Sequence, residues 1–205
     1  MHDEVLTKEQ IDILPLIAEF KKDFYLVGGT AIALQIGHRY SIDFDLFSFK
    51  EIKRKRIKNI ITKNNFNVDK VHYEAYDQMH LSVNNVKVTF FQYEYKIEHP
   101  LNYNDVITMP TLLDLAAMKA YALGGRAKWK DYVDLYFLLK YHFSFKQISD
   151  RAIELFENYF NERLFKEEIS YFKDISYTEQ IEYVGIPIPE EEIKEFLINV
   201  ATEPF

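Results

Sequence analysis

The stretch Val27-Gly28-Gly29-Thr30-Ala31-Ile32-Ala33-Leu34 leads through Gln35-Ile36 into Gly37-His38-Arg39-Tyr40-Ser41-Ile42-Asp43-Phe44-Asp45. It contains the strand, helix and second strand around which the rest of the chain is arranged. Phe24-Tyr25-Leu26-Val27 is a short apolar run ending on two glycines, which predicts a strand followed by a tight turn. Thr30 to Ile36 predicts a short helix that Gly37 stops. Asp43-Phe44-Asp45-Leu46-Phe47 alternates polar and apolar, so a strand follows with both aspartates on one face.

Before this stretch, residues 8–22 carry Ile11, Leu14, Ile17, Ala18 and Phe20 at helical spacing, with Pro15 near the first turns. Residues 50–63 predict a basic helix. Three strand-like runs lie near 66–75, 79–84 and 86–95, and Asn84-Asn85 suits a tight hairpin turn between the last two. After Pro100 the character becomes helical. Pro110-Thr111-Leu112-Leu113-Asp114 looks like a helix start, with Thr111 as cap and an acid three residues on. That helix runs to Leu123 and stops at Gly124-Gly125. A second covers 129–142, helical aromatic sequence continues to about 172, and Gly185-Ile186-Pro187-Ile188-Pro189 breaks it before an acidic helix over 190–200. The expected fold class is α/β (α+β): a mixed-sheet core over 1–107, then a C-terminal helical lobe over 108–205.

Composition excludes whole classes of function. With 48% hydrophobic, 16% aromatic and 28% charged residues, the chain of 205 residues has globular and not disordered composition. It has no cysteine, which removes disulfides, thiolate zinc sites, iron–sulfur clusters and cysteine nucleophiles. No apolar run approaches the length of a membrane span, and Met1-His2-Asp3-Glu4 does not open a signal peptide. A cytoplasmic protein without a membrane partner is expected. The net charge of −7 argues against a general nucleic-acid coat, but it is unevenly spread. Residues 151–205 hold 13 Asp/Glu against 5 Lys/Arg, whereas residues 1–150 hold 19 against 20. A site for a polyanion therefore belongs in the first three quarters of the chain.

The same stretch carries the chemistry. Two glycines between a strand and a helix let backbone N–H groups approach an anion, and the helix N-terminus adds a favourable dipole. The spacing is not that of the Walker loop. Asp43 and Asp45 on one strand face stand about 6–7 Å apart by strand rise. Their mutual repulsion makes a cation the natural resident, and hard oxygen ligands without Cys or clustered His favour Mg²⁺ over zinc. A phosphate-cradling turn beside such a pair points to nucleoside triphosphate chemistry, with Arg39 between the two pieces. Taken singly, a Gly-Gly turn or an Asp-x-Asp strand end is ordinary structure.

These residues, Gly28-Gly29-Thr30 with Ala31, Ala33 and Leu34, then His38-Arg39-x-Ser41-x-Asp43-Phe44-Asp45-Leu46-Phe47, resemble the DNA polymerase β-type nucleotidyltransferase superfamily, and within it the AbiEii-type toxin nucleotidyltransferases. The resemblance continues through Leu115-Ala116-Ala117-Met118-Lys119-Ala120-Tyr121-Ala122, Gly125-Arg126 and Lys130-Asp131-Tyr132-Val133-Asp134-Leu135. It implies a mixed-sheet nucleotidyltransferase core with a helical lobe completing an active-site cleft. It implies that Gly28, Gly29 and Thr30, with Arg39, hold the NTP, and that Asp43 and Asp45 ligate catalytic Mg²⁺. Lys119 would contact phosphate or developing charge, Asp131 would act as base or orienting carboxylate, and Asp134 would be structural. The implied reaction moves a nucleoside monophosphate onto RNA, such as a tRNA end, or onto a protein hydroxyl, in the toxin half of a toxin–antitoxin or phage-defence pair with a cognate antitoxin. The third carboxylate of many superfamily members has no counterpart here: the corresponding strand, Val86-Lys87-Val88-Thr89-Phe90-Phe91, offers Thr89. Two alternatives stand beside this, a small-molecule (aminoglycoside-like) nucleotidyltransferase and a catalytically silent NTP-binding module.

The remaining candidates are weaker. Lys53, Arg54, Lys55, Arg56 and Lys58 form a basic run that is either a solvated helix face or a guide for RNA phosphates. The six histidines lack metal-ligand spacing, and His38 is expected to support its loop. Ser41 has no evident base partner. The Phe/Tyr-rich stretch 132–172 reads as helix packing.

Overall fold

The computed structural model describes residues 1–125 and 127–203, and it divides into two compact units, Met1–Thr111 and Leu112–Phe205. Arg126, part of one matched motif, lies outside the described residues.

In the first unit, helix α1 (Lys8–Ala18) opens with a reciprocal cap, Thr7 accepting from the Gln10 amide at 3.2 Å and the Gln10 side chain accepting from Thr7 N–H at 3.0 Å. It is shorter than the expected 8–22, because the chain turns at Glu19–Asp23 to enter the sheet, and Pro15 lies well inside it. Strand β1 (Tyr25–Val27) passes directly into α2 (Gly28–Ile36), so both glycines form the first helical turn instead of preceding it. Gly37, at φ +67°, ends α2 as expected. Strand β2 (Asp43–Ser48) alternates half-buried and buried positions. Helix α3 (Arg54–Lys63) starts later than 50 and buries only Ile57 and Ile61, so its basic residues face outward.

The strands β3 (Val68–Glu74), β4 (Gln78–Val83) and β5 (Val86–Gln92) complete a sheet of order β1-β2-β5-β4-β3. Only β2 and β5 run parallel, so the sheet is mixed, as expected. Asn84 and Asn85 both take positive φ, 51° and 63°, the backbone of a two-residue hairpin turn. A second hairpin, β6 (Leu101–Tyr103) and β7 (Ile107–Met109), turns the same way at Asn104-Asp105. The sequence does not predict it, because three-residue strands show too few alternations to carry a pattern. β7 packs against β1, and this hairpin keeps the chain in the first unit as far as Thr111, slightly past the expected 107.

The buried face of β2, Phe44, Leu46 and Ser48, belongs to the core. Beside it Phe20, Phe24 and Phe90 meet edge-on, with centroids 4.8 to 6.1 Å apart. The opposite face carries Asp43, Asp45 and Phe47. The core thus fixes the register that holds the two carboxylates together.

The second unit is helical: α4 (Leu112–Leu123), α5 (Trp129–Tyr141), α6 (Phe145–Phe156), α7 (Glu162–Glu168) and α8 (Glu190–Thr202). Aromatic contacts tie these helices together, as the Phe/Tyr-rich stretch predicts. Tyr121 stacks on Phe156 at 4.2 Å, Phe145 on Phe165 at 5.1 Å, and Phe196 meets Tyr136 edge-on at 5.2 Å. Asp114, three residues after Thr111, accepts a 2.6 Å hydrogen bond from Arg151 Nε, which clamps α4 to α6.

Candidate functional site

The alternation of β2 places Asp43 and Asp45 on one face, both half-buried. β1 pairs with β2 so that Val27 lies opposite Asp45, which brings the Gly28-Gly29 start of α2 over that carboxylate. Gly28 has φ +72°, and a Cβ there would lie 2.4 Å from Asp45 Oδ2. The conformation and the close approach each demand glycine. A carboxylate beside a helix N-terminus is also favoured by the dipole.

Thr30 closes the other side. Its hydroxyl hydrogen-bonds Ser41 Oγ at 2.9 Å and the Asp43 carbonyl oxygen, and the side chain is buried. The hydroxyl therefore holds α2 to the start of β2, and only the Thr30 backbone remains to face a phosphate. Ser41, set aside as a nucleophile, is part of this latch. Arg39 is buried too. It donates from Nη1 to the Tyr40 carbonyl at 2.9 Å, and its Nη2 lies where a Gly29 Cβ would come within 2.4 Å. The second glycine thus makes room for a guanidinium, a use that glycine spacing alone does not reveal. His38 is buried in the same loop.

The register also locates the missing carboxylate. β5 runs parallel to β2 with Thr89 opposite Asp45 and Lys87 opposite Asp43. A carboxylate at 89 would complete a triad, and threonine stands there. Among the described residues no three His, Asp or Glu side chains form a metal-binding group. The carboxylate pair still suits Mg²⁺, which takes one or two protein carboxylates and completes its octahedron with water and substrate phosphates.

In the second unit Lys119 reaches Asp131 Oδ1 at 2.7 Å and Asp134 Oδ2 at 2.8 Å. The lysine is 4% exposed and both aspartates 0%. The i, i+3 spacing on α5 puts the carboxylates on one face, and the α4 lysine lies between them. Asp134 is held as closely as Asp131, although the resemblance gives the two different roles. Beside them the Tyr132 hydroxyl donates to the Tyr171 carbonyl at 3.0 Å, and burial, then the nearby Glu168 and Asp131 charges, push its pKa up to about 12. Such a buried ionic cluster costs desolvation that only good geometry offsets, and loss of one partner would be expensive.

With this geometry in view, the profile of the family described as "Nucleotidyl transferase AbiEii toxin, Type IV TA system" matches residues 16–203. The chain belongs to the AbiEii nucleotidyltransferase toxin family. An uncharacterized protein of Aquifex aeolicus (strain VF5) is 32% identical over 198 residues, covering 93% of both chains. A putative nucleotidyltransferase from H. pylori shares the fold at TM-score 0.56 and 17% identity, over 95% of this chain and 94% of that one. MenT4, a nucleotidyltransferase toxin from Mycobacterium tuberculosis H37Rv, shares it at TM-score 0.56 and 10% identity, over 94% and 81%. The AbiEii family assignment agrees with the mixed sheet and the helical second unit. Among the described residues no helix is long and apolar enough to cross a membrane.

Proposed function

We propose that this AbiEii-family protein is a Mg²⁺-dependent nucleotidyltransferase and the toxin of a toxin–antitoxin pair. It transfers a nucleoside monophosphate from an NTP to an acceptor hydroxyl on RNA, such as a tRNA end, or on protein, and releases pyrophosphate. The observation that carries this reading is the half-buried Asp43/Asp45 pair on one face of β2, set against the Gly28-Gly29 start of α2.

Each residue has a task in this reading. Asp43 and Asp45 hold Mg²⁺. The ion, when bound, neutralises charge on the α-phosphate and leaving pyrophosphate and makes the attacking hydroxyl more acidic. The first amides of α2 receive the phosphates. Thr30, Ser41 and Arg39 act behind them, fixing α2 against β2, so that little reorganisation is needed as charge develops. The acceptor oxygen forms a bond to the α-phosphorus while the bond from that phosphorus to the bridging oxygen breaks; pyrophosphate leaves, and the hydroxyl proton passes to water. Lys119, Asp131 and Asp134 are assigned as positioning residues, because both aspartate carboxylates are fully buried and already held by the lysine.

One observation favours a second reading. Thr89, opposite Asp45, leaves the carboxylate set one short, as in a silent NTP-binding module. Incubation with α-labelled NTP, Mg²⁺ and total RNA or protein separates the two. Label moves to an acceptor, and the Asp43→Ala/Asp45→Ala variant loses at least about a thousandfold in rate, the several kcal/mol a catalytic metal contributes. Label transfer that survives the double substitution would remove these residues from the site. NTP binding with no transfer to any acceptor would establish the silent module.

A further inference from the structure

At the far end of β2 from Asp43, the first unit has two adjoining cavities of about 300 and 400 Å³ that share Asp23, Phe24, Ser48 and Lys50. Strand rise puts Ser48 about 17 Å from Asp43, so this groove is not the carboxylate site. Six cations line it: Lys21, Lys22, Lys50, Lys53, Arg56 and Lys96, against only two acids, Asp23 and Glu51. That excess of four positive charges occurs in a chain whose net charge is −7. Asp23 is committed to Lys50 at 3.2 Å and Arg56 at 3.1 Å. Lys22, Lys53 and Lys96 are exposed, and their ammonium groups make no hydrogen bond or ion pair with any described residue. Nothing in the unit's own packing accounts for three unpaired ammonium groups gathered along one groove.

Flat aromatic surface accompanies the charge. Phe49 is 59% exposed, and the exposed His99 ring lies parallel to Tyr25 at 4.6 Å, with both residues lining the larger cavity. An aromatic side chain that costs hydrophobic exposure while sitting among lysines suits a ligand carrying both phosphates and π-faces. An acidic peptide would use the lysines and leave Phe49 and His99 idle.

We infer that this groove is a docking site for single-stranded nucleic acid, its phosphates on Lys22, Lys53 and Lys96 and its bases against Phe49 and His99. Binding here needs no sequence readout, because every base offers a π-face. The site is independent of the transferase reading: it binds without NTP or metal. Where the two readings meet, it makes RNA the acceptor.

The test is fluorescence anisotropy with a labelled oligouridylate on the intact protein, with no NTP. The wild type binds, and affinity falls with salt. Each phosphate-contacting lysine removed lowers the slope of log K against log salt by about 0.7, so Lys22→Ala/Lys53→Ala/Lys96→Ala lowers it by about 2 and weakens binding more than about tenfold near 100 mM salt. Those lysines have no protein partner, so thermal melting stays unchanged. Phe49→Ala weakens binding about fivefold or more through lost stacking. Asp43→Ala/Asp45→Ala binds like wild type, which keeps failure of this inference distinct from failure of the transferase reading. Unchanged affinity and slope in the triple variant would overturn the inference. So would absence of binding by the wild type, or displacement of the oligonucleotide by polyglutamate equally well, charge for charge.

Discussion

Gly28 stands at φ +72° with Asp45 Oδ2 where its side chain would be. An alanine there has to pay left-handed strain of about 1–2 kcal/mol and also displace a carboxylate assigned to the metal. Gly28→Ala is expected to slow nucleotide transfer at least about a hundredfold while costing only a small part of the folding stability. Paired rate and urea-denaturation measurements check this, and a variant with wild-type rate would dissociate Gly28 from the site. At this scale the sequence was legible where periodicity acts. Two aspartates at i, i+2 on a strand must share a face, and Asp131 and Asp134 at i, i+3 on a helix must do so too. It was not legible where the path of a loop decides. Thr30 turning its hydroxyl inward to Ser41, and Arg39 filling the space beside Gly29, depend on how residues 37–42 cross from α2 to β2. Nothing in side-chain type encodes that path.

At the scale of elements, the irregular segment between α7 and α8 is fastened to the start of α5. Trp129 N–H donates to the Ser176 carbonyl at 3.0 Å and Ser176 N–H to the Ala127 carbonyl at 2.8 Å. Glu179 accepts from Lys128 at 2.8 Å and from Lys130. Burial works to raise the Glu179 pKa, but hydrogen bonds from the two lysines outweigh it and hold the carboxyl at about 2. A depressed folded-state pKa stabilises above the unfolded value of 4.5 and loses its effect as pH falls from there toward about 2. Glu179→Gln should therefore lower stability by about 1 kcal/mol at pH 7, a modest value for a partly exposed pair. The gap to wild type should close as pH drops through that window. Denaturant midpoints at pH 7, 4 and 3 would show it, and a gap independent of pH would mean that the lysines do not set this contact. Elements with several periods, such as α4, α5 and β5, were readable beforehand. The β6–β7 hairpin was not, because its strands of three residues are held by pairing and by packing on β1 and carry no pattern of their own.

For the whole molecule, the charge total proved the least informative number and its distribution the most. The acidic excess sits in residues 151–205, much of it on α6, α7 and α8, where residues such as Glu154 and Glu192 are spent on Arg151 and Lys140. The first unit holds both the carboxylate pair and, at the other end of β2, a groove with unpaired lysines. Membership of the AbiEii family accounts for the fold around the first feature; the reaction itself is tested by which phosphate moves. Two parallel incubations with Mg²⁺ and total RNA, one with NTP labelled at the α-phosphate and one at the γ-phosphate, address this directly. Nucleotidyl transfer predicts label on the acceptor from the α-labelled NTP only, with the γ-label released in pyrophosphate. Acceptor label from the γ-position would mean phosphoryl transfer, and would contradict the chemistry assigned to Asp43 and Asp45.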